Sequence, residues 1–272
     1  MDESRQEQVK EAVRTYYGAR AQGLDPCSCS CGPTDCCGPA QVEEQSSDCS
    51  EQELYAVQGD PQIASLGCGD PLAFADIREK EVVLDLGSGL GLDVILAGRR
   101  VGDSGKVIGL DMTPEMIRKA RENAERAGLA HIVEFRLGEM ENMPVDDESV
   151  DWIISNCVVN LSPDKERVFQ EAYRVLRPGG QMLISDLVSA GLPDELRKDL
   201  SAWAQCLGGT LEEAEYLDLF KKAGFDDVAV VDRVDATPAF LGSACCSSAP
   251  QQSGGLTIDS IKVRARKPRL QQ

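Results

Sequence analysis

A glycine-rich segment, D-L-G-S-G-L-G at 85–91, joins a short and largely apolar stretch at 81–86 to an amphipathic stretch at 92–100. The first pattern is typical of a buried strand and the second of a helix. Glycines between a strand and a helix let the backbone approach a ligand closely, so the segment predicts a nucleoside site. Asp111, twenty residues past Gly91, ends the next predicted strand, where its carboxylate can accept both ribose hydroxyls of an adenosine.

Strand and helix patterns alternate beyond this loop. Thr113-Pro114 and Ser162-Pro163 are each typical of a helix start, and Gly128 is typical of a helix end. Strands that alternate with helices of this length predict a doubly wound, mostly parallel α/β sheet with right-handed crossovers. The further strands are predicted at 106–111, 133–137, 151–156 and 182–186.

The last third of the chain adds helices and two more strands. A helix is predicted at 194–206, and T-L-E-E at 210–213 matches a capping box that opens a helix ending at Gly224. The last strands are predicted at 228–231 and at 261–266, where apolar and basic residues alternate as in a half-exposed strand.

Three parts are expected along the chain. Residues 1–52 combine an amphipathic helix over about 4–20 with a segment rich in Cys, Ser, Gly and Pro that lacks periodicity. Residues 53–190 are expected to form a Rossmann-like domain that binds the nucleoside. Residues 191–272 are expected to form a C-terminal extension with the last strands and a loop that contains cysteines.

The charge of the chain excludes some partners. Its 46 acidic and 28 basic residues leave a formal net charge of −18 at pH 7. A surface this negative repels phosphate groups, so neither nucleic acid nor an anionic membrane is expected as a main partner. The longest uncharged run, 236–258, is too polar to cross a bilayer. Because residues 1–13 also lack the apolar core of a secretory signal, a cytoplasmic protein is expected.

Cysteine is abundant for a protein that is expected in the cytoplasm. Of eleven cysteines, five lie in a cluster at 27–37 and two are adjacent at 245–246. A reducing compartment argues against a framework of structural disulfides. The clusters lack the C-x₂-C pairs of structural zinc sites, so they either bind soft metals or are incidental thiols of a variable tail. Four cysteines are single: Cys49, Cys68, Cys157 and Cys206.

The glycine spacing narrows the choice of nucleoside. It is G-x-G-x-G, and Leu92 stands where the fingerprint of dinucleotide enzymes has its third glycine. With L-D-M-T at 110–113, Gly138-Glu139 and L-R-P-G-G at 176–180, the chain resembles the class I S-adenosylmethionine-dependent methyltransferases. The resemblance implies a seven-stranded Rossmann-like sheet whose last strand is antiparallel.

The same resemblance implies how S-adenosylmethionine would bind. The loop glycines would surround its methionine part, Asp111 would bind the ribose, and Met112 would contact the adenine. Core packing is the alternative role for Met112 and Met140. The implied cofactor-binding residues are Asp85, Gly87, Gly89, Gly91, Asp111, Met112, Glu139, Met140 and Asn156.

Three single cysteines lie in segments that are more specific than the glycine loop. These are S-L-G-C-G-D-P at 65–71, S-N-C-V-V-N-L at 155–161 and C-L-G-G at 206–209. In this order they closely resemble the arsenite S-adenosylmethionine methyltransferases, over roughly residues 53–225.

That family resemblance implies roles for the thiols. Cys157 and Cys206 would hold the arsenic during transfer, and Cys68 would be a third ligand or a redox partner. The family has a further working cysteine upstream, for which Cys37 is the preferred candidate. Cys36 and Cys49 are the alternatives.

The chemistry of arsenic agrees with this interpretation. Trivalent arsenic prefers sulfur ligands, and three thiolates leave it a lone pair that can attack a sulfonium methyl group. No general base is needed, and the lone histidine, His131, is expected at the surface. Because methyl transfer oxidises arsenic, a thiol reductant such as thioredoxin or glutathione must return it to the trivalent state. The expected substrate is arsenite or its thiol conjugates.

Two other functions fit parts of the sequence. A methyltransferase for a small organic substrate, such as a quinone precursor, would use the same cofactor and leave the cysteines idle. A thiol-rich protein that sequesters arsenic or metals would use the cysteines and leave the glycine loop idle.

Overall fold

Seven strands form one sheet in the computed structural model, which describes residues 1–24, 71–241 and 255–269. In chain order they are β1 (Val82–Leu86), β2 (Lys106–Asp111), β3 (Val133–Leu137), β4 (Val150–Asn156), β5 (Leu176–Ala190), β6 (Asp226–Asp235) and β7 (Thr257–Arg266). The order across the sheet is β3-β2-β1-β4-β5-β7-β6. Strand β7 is antiparallel to β5 and β6, and the other pairs are parallel. The prediction of a mostly parallel seven-stranded sheet with an antiparallel last strand is confirmed.

Helices cover both faces of this sheet. They are α1 (Glu3–Ala21), α2 (Leu92–Val101), α3 (Pro114–Arg126), α4 (Lys165–Val175), α5 (Asp194–Lys198), α6 (Leu200–Ala204), α7 (Glu213–Ala223) and α8 (Thr237–Leu241). Short 3₁₀ turns lie at Leu72–Phe74 and Val159–Leu161. None of the helices listed in this paragraph is long and apolar enough to cross a membrane.

Alternation along the central strands divides the core in two. Leu84 belongs to a buried cluster with Phe169 of α4 and Phe220 of α7. Its neighbour Val83 belongs to a second cluster with Ile95 of α2, on the other face of the sheet. Successive side chains of a strand point to opposite faces, so strands covered on both faces are apolar at nearly every position. This explains the continuous apolar runs in the sequence.

The sheet also determines where a ligand can bind. From β1 the chain moves outward to β2 and β3, and it then returns to β4 on the other side of β1. Loops that follow β1 and β4 therefore leave in opposite directions, and a crevice opens at the carboxyl ends of these two strands.

The predicted helix at 194–206 is wrong as a single element. The chain forms α5 and α6 instead, with extended backbone at Asp199 between them. The Asp199 carboxylate accepts the backbone N–H of Ser201 at 2.8 Å and caps α6. Aspartate competes with helical hydrogen bonds in this way, so it breaks a helix that apolar periodicity alone would extend.

The predicted capping box at 210–213 is also wrong. The residue before α7 is Glu212, and its side chain makes no capping bond. The Thr210 hydroxyl instead lies 2.6 Å from the Ser189 hydroxyl and donates to the Leu207 carbonyl. A buried hydroxyl must find a partner, and here the nearest one lies on β5 rather than at the helix end.

Other boundaries also differ from the predictions, and β6 and β7 extend beyond the predicted 228–231 and 261–266. Helix α4 begins two residues later than Ser162-Pro163 suggests, because Asp164 caps it through the Arg167 N–H. Strand β5 extends well beyond 182–186, because β7 pairs with it from Gln181 to Ala190. That pairing comes from a distant part of the chain, which local pattern does not report.

The break between α5 and α6 can be tested by removing its cap. Asp199→Ala should lower the free energy of unfolding by about 1 kcal/mol, because the Ser201 amide loses its acceptor. Asp194→Ala, in the first turn of α5, removes no capping bond and should cost less. Urea denaturation of both variants measures the difference, and equal losses would contradict the capping role.

Candidate active site

A cavity opens at the carboxyl ends of β1, β2 and β4. The glycine loop forms one wall, Asp111 and Met112 form a second, and the segment that follows β4 forms a third. Helix α1 closes the cavity from outside. The residues that line it include Lys10, Val13, Tyr17, Gly87, Ser88, Gly89, Asp93, Asp111, Met112, Met140, Glu141, Asn156, Cys157 and Val158.

The glycine loop has the conformation that its sequence predicts. Gly87 has a φ of +66°, and a Cβ there would lie 2.2 Å from the Val158 side chain. Gly89 also has a positive φ, but a Cβ there would find only a backbone oxygen, at 4.0 Å, so this glycine faces the open cavity. The loop therefore packs against the segment after β4 at one glycine and presents bare backbone to a ligand at another.

Asp111 ties the end of β2 to this loop. One carboxylate oxygen accepts the Gly89 N–H at 2.9 Å, and the other accepts the Thr113 N–H at 2.8 Å. Burial raises the pKa of Asp111, although these backbone donors act in the opposite direction. The position at the strand end is the one expected for a residue that binds ribose, and that role remains a prediction.

Three carboxylates lie close together around the loop. Asp85 is buried behind the loop rather than lining the cavity. Burial raises its pKa well above the ordinary value, and the nearby charges of Asp93 and Asp111 add to the shift. Asp93 and Asp111 line the cavity, and their negative charges favour a bound ligand with a sulfonium or ammonium group.

The other predicted cofactor residues have different surroundings. Met112 and Met140 line the cavity, and the Asn156 amide donates to Asp93 at 3.3 Å. Glu139 is partly exposed and forms ion pairs with Lys10 and Arg14 of α1. The contacts of these residues with adenine remain predictions.

Helix α1 forms a wall of the cavity that was not predicted from the sequence. Its residues Lys10, Val13 and Tyr17 lie on one helix face and line the cavity. Lys10 lies 2.6 Å from Glu139 and 3.9 Å from Glu141 and so holds the helix across the opening. The signal in the sequence was the apolar face of an otherwise polar helix, which needs a partner to cover it.

The two described cysteines of the predicted arsenic site lie side by side. Cys157 follows β4, Cys206 follows α6, and both are nearly fully buried. The Cys206 thiol donates to the Cys157 carbonyl oxygen at 3.0 Å, and the Tyr17 hydroxyl lies 3.8 Å from the same sulfur. Cys157 is disulfide-bonded, whereas Cys206 is a free thiol. The structure thus brings residues 157 and 206 into contact, and their binding of arsenic remains a prediction.

Burial makes Cys206 a protonated thiol at neutral pH. Loss of solvation raises its pKa to about 12, and the negative charge of Asp186 contributes to the rise. Asp186 is buried too, and its own pKa is raised to about 6. It accepts hydrogen bonds from Tyr216 and from the backbone and side chain of Asn160.

Several sequence predictions fall on residues that the structure does not describe. They concern Cys68 and Cys37, the alternatives Cys36 and Cys49, the cluster at 27–37, and the pair at 245–246. His131 is exposed and lies 3.2 Å from Asp103, as expected of a surface residue. Within the described ranges, no group of three or more His, Cys, Asp or Glu side chains could hold a metal ion.

Comparisons with known proteins agree with this geometry. Residues 77–224 match a methyltransferase domain family. An arsenite methyltransferase of Halobacterium salinarum is 43% identical over 96% of this chain and 67% of its own length. The chain belongs to the arsenite methyltransferase family. The human arsenite methyltransferase is 36% identical over 81% of this chain. The crystal structure of an arsenic(III) S-adenosylmethionine methyltransferase from Chlamydomonas reinhardtii is similar with a TM-score of 0.63 and 31% identity, covering 80% of this chain and 74% of that one.

The aligned region covers most of this chain but a smaller share of its relatives. It spans about two thirds of the archaeal arsenite methyltransferase and 59% of the human one. The family and the fold are those of S-adenosylmethionine-dependent methyltransferases.

The open space at Gly89 predicts a specific effect on cofactor binding. Gly89→Ala should weaken the affinity for S-adenosylmethionine by about tenfold, because the new methyl group occupies the cavity. Gly102→Ala is the matched control, because Gly102 also has a positive φ and open space around it but does not line the cavity. Titration calorimetry of both variants separates the two effects. Equal affinities would contradict the assignment of the loop.

The buried thiol predicts slow chemical modification. Iodoacetamide should alkylate Cys206 at neutral pH at least about tenfold more slowly than an unhindered thiol, because only the thiolate reacts. Peptide mass spectrometry of the reduced protein resolves this site from the other cysteines. Rapid modification of Cys206 in the folded protein would contradict its buried, protonated state.

Proposed function

We propose that this protein transfers the methyl group of S-adenosylmethionine to trivalent arsenic held by Cys157 and Cys206. The observation that carries the proposal is the position of the two cysteines. Cys157 lines the cavity beside the glycine loop, and the Cys206 thiol reaches its carbonyl oxygen at 3.0 Å. The membership of the chain in the arsenite methyltransferase family supports arsenic as the substrate of this pair.

The residues that line the cavity suit the cofactor in shape and charge. Gly89 leaves bare backbone for close approach, Asp111 stands at the end of β2, and the carboxylates around the loop favour a cation. When bound, S-adenosylmethionine supplies a methyl group on a positively charged sulfur, which makes that carbon electrophilic.

The thiols supply a site for a soft substrate. Each thiol replaces one hydroxyl of arsenous acid, so that an As–S bond forms and the thiol proton leaves with the hydroxide as water. This balance requires no general base, which agrees with a protonated Cys206. Cys68 is the proposed third ligand, and Cys37 the proposed redox partner. Arsenic bound in this way keeps a lone pair, and the chain contributes orientation and exclusion of water.

A thiol reductant is part of the proposal. Cys157 is disulfide-bonded in the structure, and two electrons must reduce that bond before its sulfur can bind arsenic. Methylation also moves an electron pair from arsenic into the new As–C bond, and thiols must return two electrons before a second round. Thioredoxin or glutathione supplies such electrons in a reducing compartment.

Replacing either sulfur should abolish arsenic methylation without affecting the cofactor. In Cys157→Ser and Cys206→Ser, the rate of arsenite methylation should fall at least about a hundredfold, because oxygen is a poor ligand for trivalent arsenic. The affinity for S-adenosylmethionine should stay within about twofold of the unmodified protein. Arsenic-speciation chromatography and calorimetry measure the two quantities.

Two outcomes would favour another function. Retained methyl transfer to a small organic acceptor, with either cysteine replaced, would indicate an organic substrate. Arsenic binding without any uptake of S-adenosylmethionine would indicate a sequestering protein.

The requirement for a reductant can be tested in the same assay. Methylated arsenic should accumulate only when S-adenosylmethionine and a thiol reductant are both present, because each methylation oxidises the arsenic and thiols must reduce it again. Protein reduced in advance and freed of reductant should catalyse an initial turnover and then stop. Sustained turnover without reductant would contradict the proposed redox step.

A further inference from the structure

Lys165, the first residue of α4, is a buried lysine in contact with both cysteine-bearing segments, and the proposed chemistry does not explain it. Only 8% of its surface is exposed. Its ammonium donates to the carbonyl oxygens of Asn160, at 3.2 Å, and Ser162, at 2.9 Å. It also lies 5.0 Å from the centre of the Trp203 ring. Burying an ammonium group is costly, and a neutral side chain could fill the same space.

The two carbonyls belong to the segment that carries Cys157. This segment runs from Asn156 through the 3₁₀ turn Val159–Leu161 to Ser162. Asp186 also binds this segment at Asn160, because it accepts the backbone N–H of Asn160 at 3.1 Å and its side-chain N–H at 2.8 Å. Lys165 therefore binds the Asn160 carbonyl, whereas Asp186 binds the N–H groups of the same residue.

The indole belongs to the segment that carries Cys206. The Cys206 N–H donates to the Trp203 carbonyl oxygen at 2.9 Å, so the ring and the thiol are parts of one tight turn. The same segment touches Asn160 directly, because a Cβ on Gly209 would lie 2.0 Å from the Asn160 carbonyl oxygen. One ammonium thus contacts both cysteine-bearing segments at their junction.

We propose that Lys165 is a positioning residue of the arsenic site, which sets the separation of the Cys157 and Cys206 sulfurs by joining their two segments. The inference rests on the proposed function in one respect, that these two sulfurs bind arsenic. The carbonyl bonds fix the turn after Cys157, and the cation over the indole fixes the turn before Cys206. Trivalent arsenic binds two thiols tightly only when both lie at the correct distance, so loss of the cation should weaken binding.

Lys267, just past the end of β7, provides a matched control within the same chain. It is equally buried, donates to the carbonyls of Tyr173 and Leu176, and lies 4.6 Å from the centre of the Tyr173 ring. Its backbone N–H donates to Gly180 beside the start of β4, whereas Cys157 follows the end of β4. Replacing either lysine by methionine removes two bonds to carbonyls and a contact with an aromatic ring, and at Lys267 it also removes an ion pair with Glu148 at 3.2 Å. Only Lys165 lies at the cysteine-bearing segments.

The test uses phenylarsine oxide, whose arsenic carries one phenyl group and binds two thiols with release of water. The full-length chain is used with its nine other cysteines replaced by serine and with Cys157 and Cys206 reduced. In this background, Lys165→Met should weaken phenylarsine oxide binding at least about tenfold. Lys267→Met should leave it within about twofold, although both variants should melt at lower temperature. Lys165→Arg should stay within about threefold, because a guanidinium can donate to both carbonyls and stack on the indole.

Several results would overturn the proposal. The first is unchanged affinity for phenylarsine oxide in Lys165→Met, and the second is an equal loss of affinity in Lys267→Met. The third is a tenfold loss of affinity in Lys165→Arg when circular dichroism shows that this variant is folded. The last comparison holds even if Lys165→Met fails to fold. Binding of phenylarsine oxide requires neither S-adenosylmethionine nor methyl transfer. A chain that binds it through these thiols but does not methylate arsenite would therefore refute the proposed function and leave this inference standing.

Discussion

The arrangement of the site depends on the close approach of two backbone segments. One follows β4 and carries Cys157, and the other follows α6 and carries Cys206. Gly209 lies so near to the Asn160 carbonyl that no larger residue fits at position 209, and the Cys206 thiol donates to the Cys157 carbonyl. Because the contact is made largely by backbone, the positions of the sulfurs follow from the path of the chain rather than from flexible side chains.

Sequence was sufficient for the parts of this structure that depend on local pattern. The strand at 82–86, the glycine loop and the acidic end of β2 lie within thirty residues of one another, and each has a simple physical requirement. Apolar runs predict strands covered on both faces, and glycines predict a loop that approaches a ligand. The proximity of Cys157 and Cys206 could be expected only through family resemblance, because 48 residues separate them along the chain.

Other features depend on contacts between distant parts of the chain. Helix α1 is predictable as a helix, but the cavity that it closes is built by residues after β1, β2 and β4. Thr210 has a sequence context that suits a helix cap, yet its hydroxyl pairs with Ser189 on a buried strand. Lys165 is indistinguishable in sequence from a solvated helix residue. In each case, burial and partners that only the folded chain provides decide the role of the residue.

Both cysteines of the site have a left-handed backbone conformation, with φ values of +59° for Cys157 and +64° for Cys206. In the described ranges they are two of only five residues other than glycine with a positive φ. This conformation costs a residue with a Cβ about 1 kcal/mol, and the surrounding packing must hold it in place. Selection for stability alone would favour glycine at both positions. Cysteine at these two positions therefore lowers the folding stability of the chain, and the packing of the surrounding segments must offset that cost.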